Sequence, residues 1–355
     1  MTTVPPRTLG VGFVGAGPVV QAIHLPALAR SEGRLAPVHV MDVDGDLAAT
    51  VAASSGARSS SRLEDLLDDP AVDIVAVCSP HHLHAEQAIA AIGSGKRAVL
   101  VEKPYATTLD DAEAINRAAR RAGTPVLVGA MHLVDPGWSA SEELRSALRP
   151  TLRFVRSSIT LPPNPQFEDM ATEVLRPMRS PGGDRPEDRA FLRAMILGLT
   201  IHDLPLIRRE LPSSRNAETR PEITVLHATV VPPGGYLLRL RVDEVLIELH
   251  AQTSPHTRLE WTLELVAEHA ALVAEFPPSY VHAGGARVRH MTTAGTHELP
   301  AETVSGYERE WSLLADAAEG GVLAGTPEDL TADLAFALDI ADAVDAHLAR
   351  QEASA

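Results

Sequence analysis

Hydrophobic positions fall into two textures along the chain. Up to about residue 131 they come as short unbroken runs: LGVGFVG (9–15), APVHVMDVD (36–44), VDIVAVCSP (72–80), RAVLVEKP (97–104) and TPVLVGAM (124–131). Unbroken β-branched runs suit strands that are covered on both faces, hence a parallel sheet. Between them lie alanine-rich amphipathic segments. HAEQAIAAIGSG ends on glycine, as helices often do. TLDDAEAINRAARRAG opens with Thr108 and Asp111 as a capping pair and stops at Gly123. The alternation predicts a doubly wound α/β domain over residues 1–131.

From residue 132 the pattern changes. TLRFVRSSITL (151–161), EITVLHATVV (222–231), 235–252 and 257–276 read as long strands. Leu238, Leu240 and Val242 alternate with Arg239, Arg241 and Asp243, which predicts an antiparallel sheet with one more exposed face. Residues 162–190 are rich in Pro, Gly and charge and read as a long loop with one short helix, from which an acid could enter a site. Near the end, Thr326, Pro327 and Asp329 have the order of a helix start. Leu330, Leu334, Leu338, Ala341 and Leu348 then form one apolar stripe, read as core packing. The expectation is an α/β chain: a Rossmann-type parallel sheet over 1–131, then an α+β domain over 132–355 with an open, mostly antiparallel sheet.

Composition narrows the partners. Of 355 residues, 31 are Lys or Arg and 47 Asp or Glu, a formal charge of −16. Such a surface repels nucleic-acid backbones and anionic lipid, so neither is an expected partner. A phosphate-bearing small molecule is not excluded, because backbone amides can hold one. The single cysteine, Cys78, lies inside a strand run and reads as a small buried apolar residue in a reducing compartment. The first ten residues have no apolar signal core, and a cytoplasmic location is expected.

The candidate chemistry begins at GFVGAGPVV. Gly15 can turn tightly, and Gly17 lets backbone approach a pyrophosphate at a helix N-terminus. Pro18 suits the first helical position, with Val19 following it. Val20 stands where the dinucleotide fingerprint has its third glycine. Asp42 ends the second strand run, where a carboxylate accepts from an adenosine ribose and repels a 2′-phosphate. No arginine follows closely, so NAD is expected in preference to NADP. Asp44 reads as the cap of the next helix.

With VEKP the chain resembles the Gfo/Idh/MocA oxidoreductases. The residues that carry the resemblance are the GxG turn, Ser79-Pro80 with His84, Glu102-Lys103-Pro104, VGAMHLVDPGW and the helix after Thr326. The resemblance implies a Rossmann domain followed by an open-sheet domain, with nicotinamide between them. It implies a sugar, polyol or related small-molecule substrate, and a homodimer or homotetramer built through the second sheet. It places Ser79, Pro80, His81, His84, Glu102 and Lys103 at the cofactor, with Lys103 also in the substrate site and the Lys103–Pro104 bond often cis.

In that family a helix of the second domain carries an aspartate and, four residues on, a histidine. Here the histidine is His202, the acid's place is taken by Gly198, and a second frequent acid's place by Pro205. An imidazole suits removal of a hydroxyl proton, and a nearby lysine can hydrogen-bond the developing oxyanion. Lys103 and His202 are therefore the expected catalytic pair. Asp203 is about 100° away on a helix and cannot stand in for an acid at 198; it is a candidate structural partner. Pro205 is expected to disturb the helix near Ile201. His132 and Trp138 are candidate substrate contacts, Trp138 alternatively a loop anchor. The cluster HHLH (81–84) is read as cofactor-side packing, with no metal expected, and His24 as structural with Pro26 breaking its helix. The lost acid leaves two alternatives to a plain dehydrogenase: a redox-neutral reaction with tightly held NAD, or a non-catalytic cofactor-binding protein.

Overall fold

The computed structural model describes residues 7–163, 174–175, 187–212, 220–253, 259–279, 281–323 and 325–353. Two compact units result. The first holds the chain up to Ala130 and takes Tyr307–Thr331 back from the far end; the second begins at Met131. The return at Tyr307 has no signature in hydrophobic periodicity.

The first unit is built on six parallel strands: β1 (Leu9–Val14), β2 (Leu35–Met41), β3 (Arg58–Ser60), β4 (Ile74–Val77), β5 (Ala98–Glu102) and β6 (Val126–Gly129). Their order is β3-β2-β1-β4-β5-β6, so the direction of winding reverses between β1 and β4. Ligands of open α/β sheets bind at the carboxyl ends of strands at such a reversal. β1 and β4 are buried along their whole length, as their unbroken apolar runs require. β3 reads Arg-Ser-Ser, too short and polar to stand out in the sequence. Thr108 caps the helix Leu109–Ala122 by accepting from the Asp111 amide, and Gly123 ends it at φ 69°. One expectation is corrected. Pro26 does not break the first helix. The chain forms a π-helical turn over Val20–His24, and Pro26 then falls in the first turn of the α-helix Leu25–Ala29, where its missing N–H costs nothing.

The second unit carries eight strands: β7 (Leu152–Leu161), β8 (Ile223–Val231), β9 (Gly235–Val242), β10 (Val245–Thr253), β11 (Glu260–Ala267), β12 (Ala270–Glu275), β13 (Arg287–Thr292) and β14 (Gly295–Glu298). Their order is β14-β13-β12-β11-β7-β10-β9-β8. β7 and β10 run parallel, and the other pairs are antiparallel. The runs 235–252 and 257–276 are hairpins rather than single strands. They turn at Asp243-Glu244, with Asp243 at φ 50°, and at Glu268-His269. Charged two-residue turns inside an alternating pattern keep the period of 2, which hid them.

The stretch around His202 is a broken helix. Asp188–Gly198 ends at the glycine, Thr200–His202 forms a 3₁₀ turn, and Leu204–Glu210 starts again with Pro205 in its first turn. The two helical pieces meet at 66°. Pro205 acts as expected. It cannot continue a helix but suits the start of one. No single helix among the described residues is long and apolar enough to cross a membrane.

Candidate active site

The first unit positions a dinucleotide-type turn. Gly15 sits at φ +101°, and a Cβ there would lie 2.7 Å from the Cys78 carbonyl oxygen, so the position requires glycine. A Cβ on Gly17 would meet no heavy atom within 4 Å. The backbone is therefore open on that side, a cradle that a side chain would fill. Asp42 is held beside it: the Ala16 amide donates to Oδ2 at 2.8 Å and the Asp44 amide to Oδ1 at 2.9 Å. Asp44 caps the helix Gly45–Ser55 through the Asp46 and Leu47 amides. The two acids divide as the sequence suggests, one facing the glycine turn and one spent on a helix end. These residues fit a dinucleotide: close backbone approach at Gly17 and a fixed ribose acceptor at Asp42.

Glu102-Lys103-Pro104 lies at the end of β5, with a cis bond between Lys103 and Pro104. The Glu102 carboxylate has a tailored space. A Cβ on Gly129 of the neighbouring β6 would come within 2.8 Å of its Oε1. His24 Nε2 donates to Glu102 Oε1 at 3.0 Å, and the Lys103 amide donates to Oε2 at 3.1 Å. On the other side of the ring, the Trp311 indole donates to His24 Nδ1 at 3.2 Å. An indole can only donate, so Nδ1 accepts and the ring hydrogen sits on Nε2. Trp311, His24 and Glu102 thus form a chain with one polarity. Burial pushes the Glu102 carboxyl up, but the His24 hydrogen bond, the Lys103 charge and the Lys103 amide outweigh it and hold it below its ordinary range. Burial lowers the Lys103 ammonium, opposed by Glu102.

Glu310, on the returning segment, is 1% exposed, and its Oε1 has no hydrogen-bond partner among the described residues. Burial, then the Glu102 charge, push its carboxyl well above the ordinary range. Burial likewise raises the Cys78 thiol, aided by Glu102 and Glu310, as suits an inert cysteine. His84 ties two backbone turns together, with Nδ1 2.8 Å from the Pro104 carbonyl and Nε2 2.9 Å from that of Ser79. Ser79 donates its hydroxyl to Gln87 Oε1 at 2.5 Å. His81 lies on the 3₁₀ turn ahead of His84, and burial, then the Lys103 charge, lower its imidazole. No cluster of three or more metal-ligating side chains exists among the described residues.

The second unit gathers a separate group. Asp203 is fully buried and accepts from three side chains. Ser157 Oγ donates to Oδ2 at 2.6 Å, Trp261 Nε1 to both oxygens at 3.0 Å, and His132 Nδ1 to Oδ1 at 3.0 Å. Ser157 and Trp261 share the buried face of paired strands β7 and β11. His132 comes from the 3₁₀ turn Met131–Val134 just after β6. Its ring stacks on Phe276 at 4.0 Å and meets Trp261 edge-on at 4.7 Å. His202 lies 5.9 Å from the His132 ring and 5.4 Å from Trp261, centroid to centroid. At Gly198 a Cβ would meet nothing within 4 Å. Trp138 is buried, with the Arg145 guanidinium 4.0 Å over its ring.

Several members of these groups have no sequence signature. The position of His24 in the chain suggests a structural role but not its link to Glu102, and no motif marks Glu310, Trp311, Ser157, Trp261 or Phe276. Nothing local marks them, since their roles arise from contacts with residues far along the chain. Asn164, Gln166, Glu168 and Asp169, in the loop expected to supply an acid, lie outside the described residues.

Comparison with known proteins agrees with this architecture. A family model described as an oxidoreductase family with an NAD-binding Rossmann fold matches residues 9–130. A 1,5-anhydro-D-fructose reductase of Ensifer adhaerens is 27% identical over 344 residues, 94% of this chain and 95% of the relative. An inositol 2-dehydrogenase of Saccharopolyspora erythraea is 38% identical over 141 residues, 39% of this chain and 41% of its own. Among solved structures, a UDP-N-acetylglucosamine 3-dehydrogenase from Acidithiobacillus ferrooxidans shares the fold with a TM-score of 0.70 at 17% identity, over 96% of this chain and 99% of that one. A 3-ketoreductase from Actinomadura kijaniata, solved with NADP, gives 0.69 at 20% identity over 95% and 97%. With their glycine turn and Glu-Lys-cis-Pro strand end, residues 9–130 carry the NAD-binding Rossmann fold of that oxidoreductase family, and the chain as a whole is similar to dehydrogenases and reductases.

Proposed function

We propose that the protein is an NAD-preferring dehydrogenase or reductase that interconverts a hydroxyl and a carbonyl on a sugar, polyol or related small molecule. The observation that carries the cofactor preference is the Asp42 carboxylate, fixed by the Ala16 and Asp44 amides next to the open backbone at Gly17. A carboxylate there welcomes ribose hydroxyls and repels a 2′-phosphate. The substrate class is supported by the names of the relatives, which act on an anhydro-sugar and on inositol. The bound dinucleotide supplies the two-electron exchange.

Gly15, Gly17, Pro18, Val19, Asp42, Ser79, Pro80, His81, His84 and Glu102 form the proposed cofactor side. Lys103 and His202 are the proposed substrate-contacting catalytic groups. An ammonium whose charge is already disfavoured by burial gains most when it meets a developing oxyanion, which is the role given to Lys103. The proposed assembly is a homodimer or homotetramer.

The test is a panel of sugars and polyols followed by the absorbance of reduced nicotinamide, with NAD and NADP compared by titration. Asp42→Ala is expected to weaken NAD about 10–100-fold, the worth of hydrogen bonds to a charged group, and to narrow the gap to NADP. Lys103→Ala and His202→Ala are each expected to lower turnover about 10²–10⁴-fold. Equal affinity of the wild type for both dinucleotides removes the NAD preference. Turnover close to wild type in either of the last two variants removes that residue from the chemistry.

A further inference from the structure

We propose that His132, held by Asp203, is the group that takes the proton from the substrate hydroxyl during oxidation and returns it during reduction. The inference rests on the hydroxyl–carbonyl chemistry proposed above. It gives the proton to the imidazole beside His202 and leaves His202 as a contact that positions the substrate.

The hydrogen bonds fix the state of the His132 ring. An ionised carboxylate only accepts, and Asp203 receives Ser157, Trp261 and His132 at 2.6–3.0 Å. The hydrogen of His132 therefore sits on Nδ1, and Nε2 presents its lone pair. The structure gives Nε2 no hydrogen bond among the described residues, although the ring is only 3% exposed. Three buried histidines of the first unit differ. His24, His39 and His84 each spend both ring nitrogens on protein partners. Phe276 and Trp261 pack against the ring and keep it from turning. One nitrogen pinned to a buried carboxylate and the other left basic is the arrangement in which an acid orients an imidazole base and steadies the imidazolium it becomes.

The step balances. The hydroxyl O–H bond breaks and its proton passes to Nε2. The electron pair would stay on oxygen and become the second C–O bond, a bound dinucleotide supplying the acceptor for the hydride that leaves carbon. Reduction is the reverse, with His132 as the acid. Asp203 is a positioning residue throughout. It also gives glycine at 198 a rationale: the supporting acid is on His132 rather than four residues ahead of His202. The ionisable groups around His132 are Asp203, bonded to it; His202, alongside it; and Asp135, whose carboxyl burial raises. The Tyr236 hydroxyl, bonded to Thr200, feels the charge of Asp203.

The experiment uses the full chain and a substrate that the wild type turns over, assayed in the direction of oxidation. A wild type inactive on every substrate of the panel overturns the functional reading itself, and with it this inference. Given an active wild type, His132→Gln keeps an amide donor for Asp203 and removes the base. It is expected to fold with the wild-type circular dichroism and dinucleotide affinity, to lose about 10²–10⁴-fold in kcat/KM, and to lose the acidic limb of the pH profile. His132→Ala is expected to recover activity when free imidazole is added. Asp203→Asn is expected to shift that limb, and His202→Gln to keep it. His132→Gln within threefold of wild type overturns the inference and leaves the functional reading standing. So does an acidic limb that survives in His132→Gln and disappears in His202→Gln. If His132→Gln fails to fold, the Asp203→Asn profile decides: an unmoved limb overturns the inference.

Discussion

Each unit buries one histidine against one carboxylate with one tryptophan in attendance, and the two trios are wired in opposite senses. In the first unit Trp311 donates to the imidazole of His24, which donates to Glu102. Both ring nitrogens are consumed, and the histidine is a strut that holds the Glu-Lys-Pro turn. In the second unit Trp261 donates to the carboxylate of Asp203 instead. His132 then needs only one nitrogen for its acid and keeps the other. Which partner the indole chooses decides whether the imidazole is structure or chemistry. Residue type, burial and the presence of a carboxylate are the same in both, so none of them separates the roles.

The largest difference should show in stability. His24→Ala leaves Glu102 ionised and buried without its side-chain donor, and leaves the Trp311 N–H without an acceptor. Leaving a buried carboxylate without a hydrogen bond that it accepts costs about 2–3 kcal/mol. His132→Gln leaves Asp203 with Ser157, Trp261 and the new amide, and should cost about 1 kcal/mol. Denaturant unfolding of the two variants reads this directly. Equal losses would mean that His24 is no more of a strut than His132.

Glu102 shares its pocket with a second acid, whereas Asp203 is surrounded by donors, and this gives the next effect. Glu310 is held protonated in the fold by burial and by Glu102, while in the unfolded chain it ionises at its ordinary value. The folded state therefore binds a proton that the unfolded state has lost. Stability is full below the ordinary carboxylate pKa and falls by about 1.4 kcal/mol per pH unit from there up to the raised value. Glu310→Gln removes the dependence. The variant should match the wild type at about pH 4 and exceed it increasingly toward about pH 7 in thermal unfolding. A constant offset across that range would sink this reading of Glu310.

These trios also mark how far the sequence could be read. The parallel sheet was legible because buried strands write continuous apolar runs. The glycine turn, Asp42 and the Glu-Lys-Pro end were legible because their chemistry depends on spacing along the chain. The break at Gly198–Pro205 followed from proline itself. The hairpins at Asp243 and Glu268 were not legible, since their turns preserve the alternation of the strands. Nor were the tryptophans. Trp311 lies 287 residues from His24 and Trp261 58 residues from Asp203, and no local pattern encodes contacts made only by the folded chain. Asp203 shows the limit most clearly. Its neighbour in sequence is His202, but its partner is His132, 71 residues away.

The smallest effect tests the wiring most sharply. Trp311→Phe and Trp261→Phe each remove one neutral donor and keep an aromatic ring, so each should cost about 1 kcal/mol in unfolding. Their functional consequences should differ. Without the indole, His24 loses one of its two fixed partners and holds the Glu-Lys-Pro turn less firmly, so dinucleotide affinity should fall. Turnover at saturating cofactor should keep its pH profile, because no proton of the reaction passes through His24. Without Trp261, Asp203 keeps Ser157 and His132 but carries less stabilised charge, which favours the proton on His132. The acidic limb of kcat/KM should therefore move to higher pH, with dinucleotide affinity unchanged. A Trp311→Phe variant that shifts the turnover limb, or a Trp261→Phe variant that leaves it in place, would reverse the assignment of strut and base.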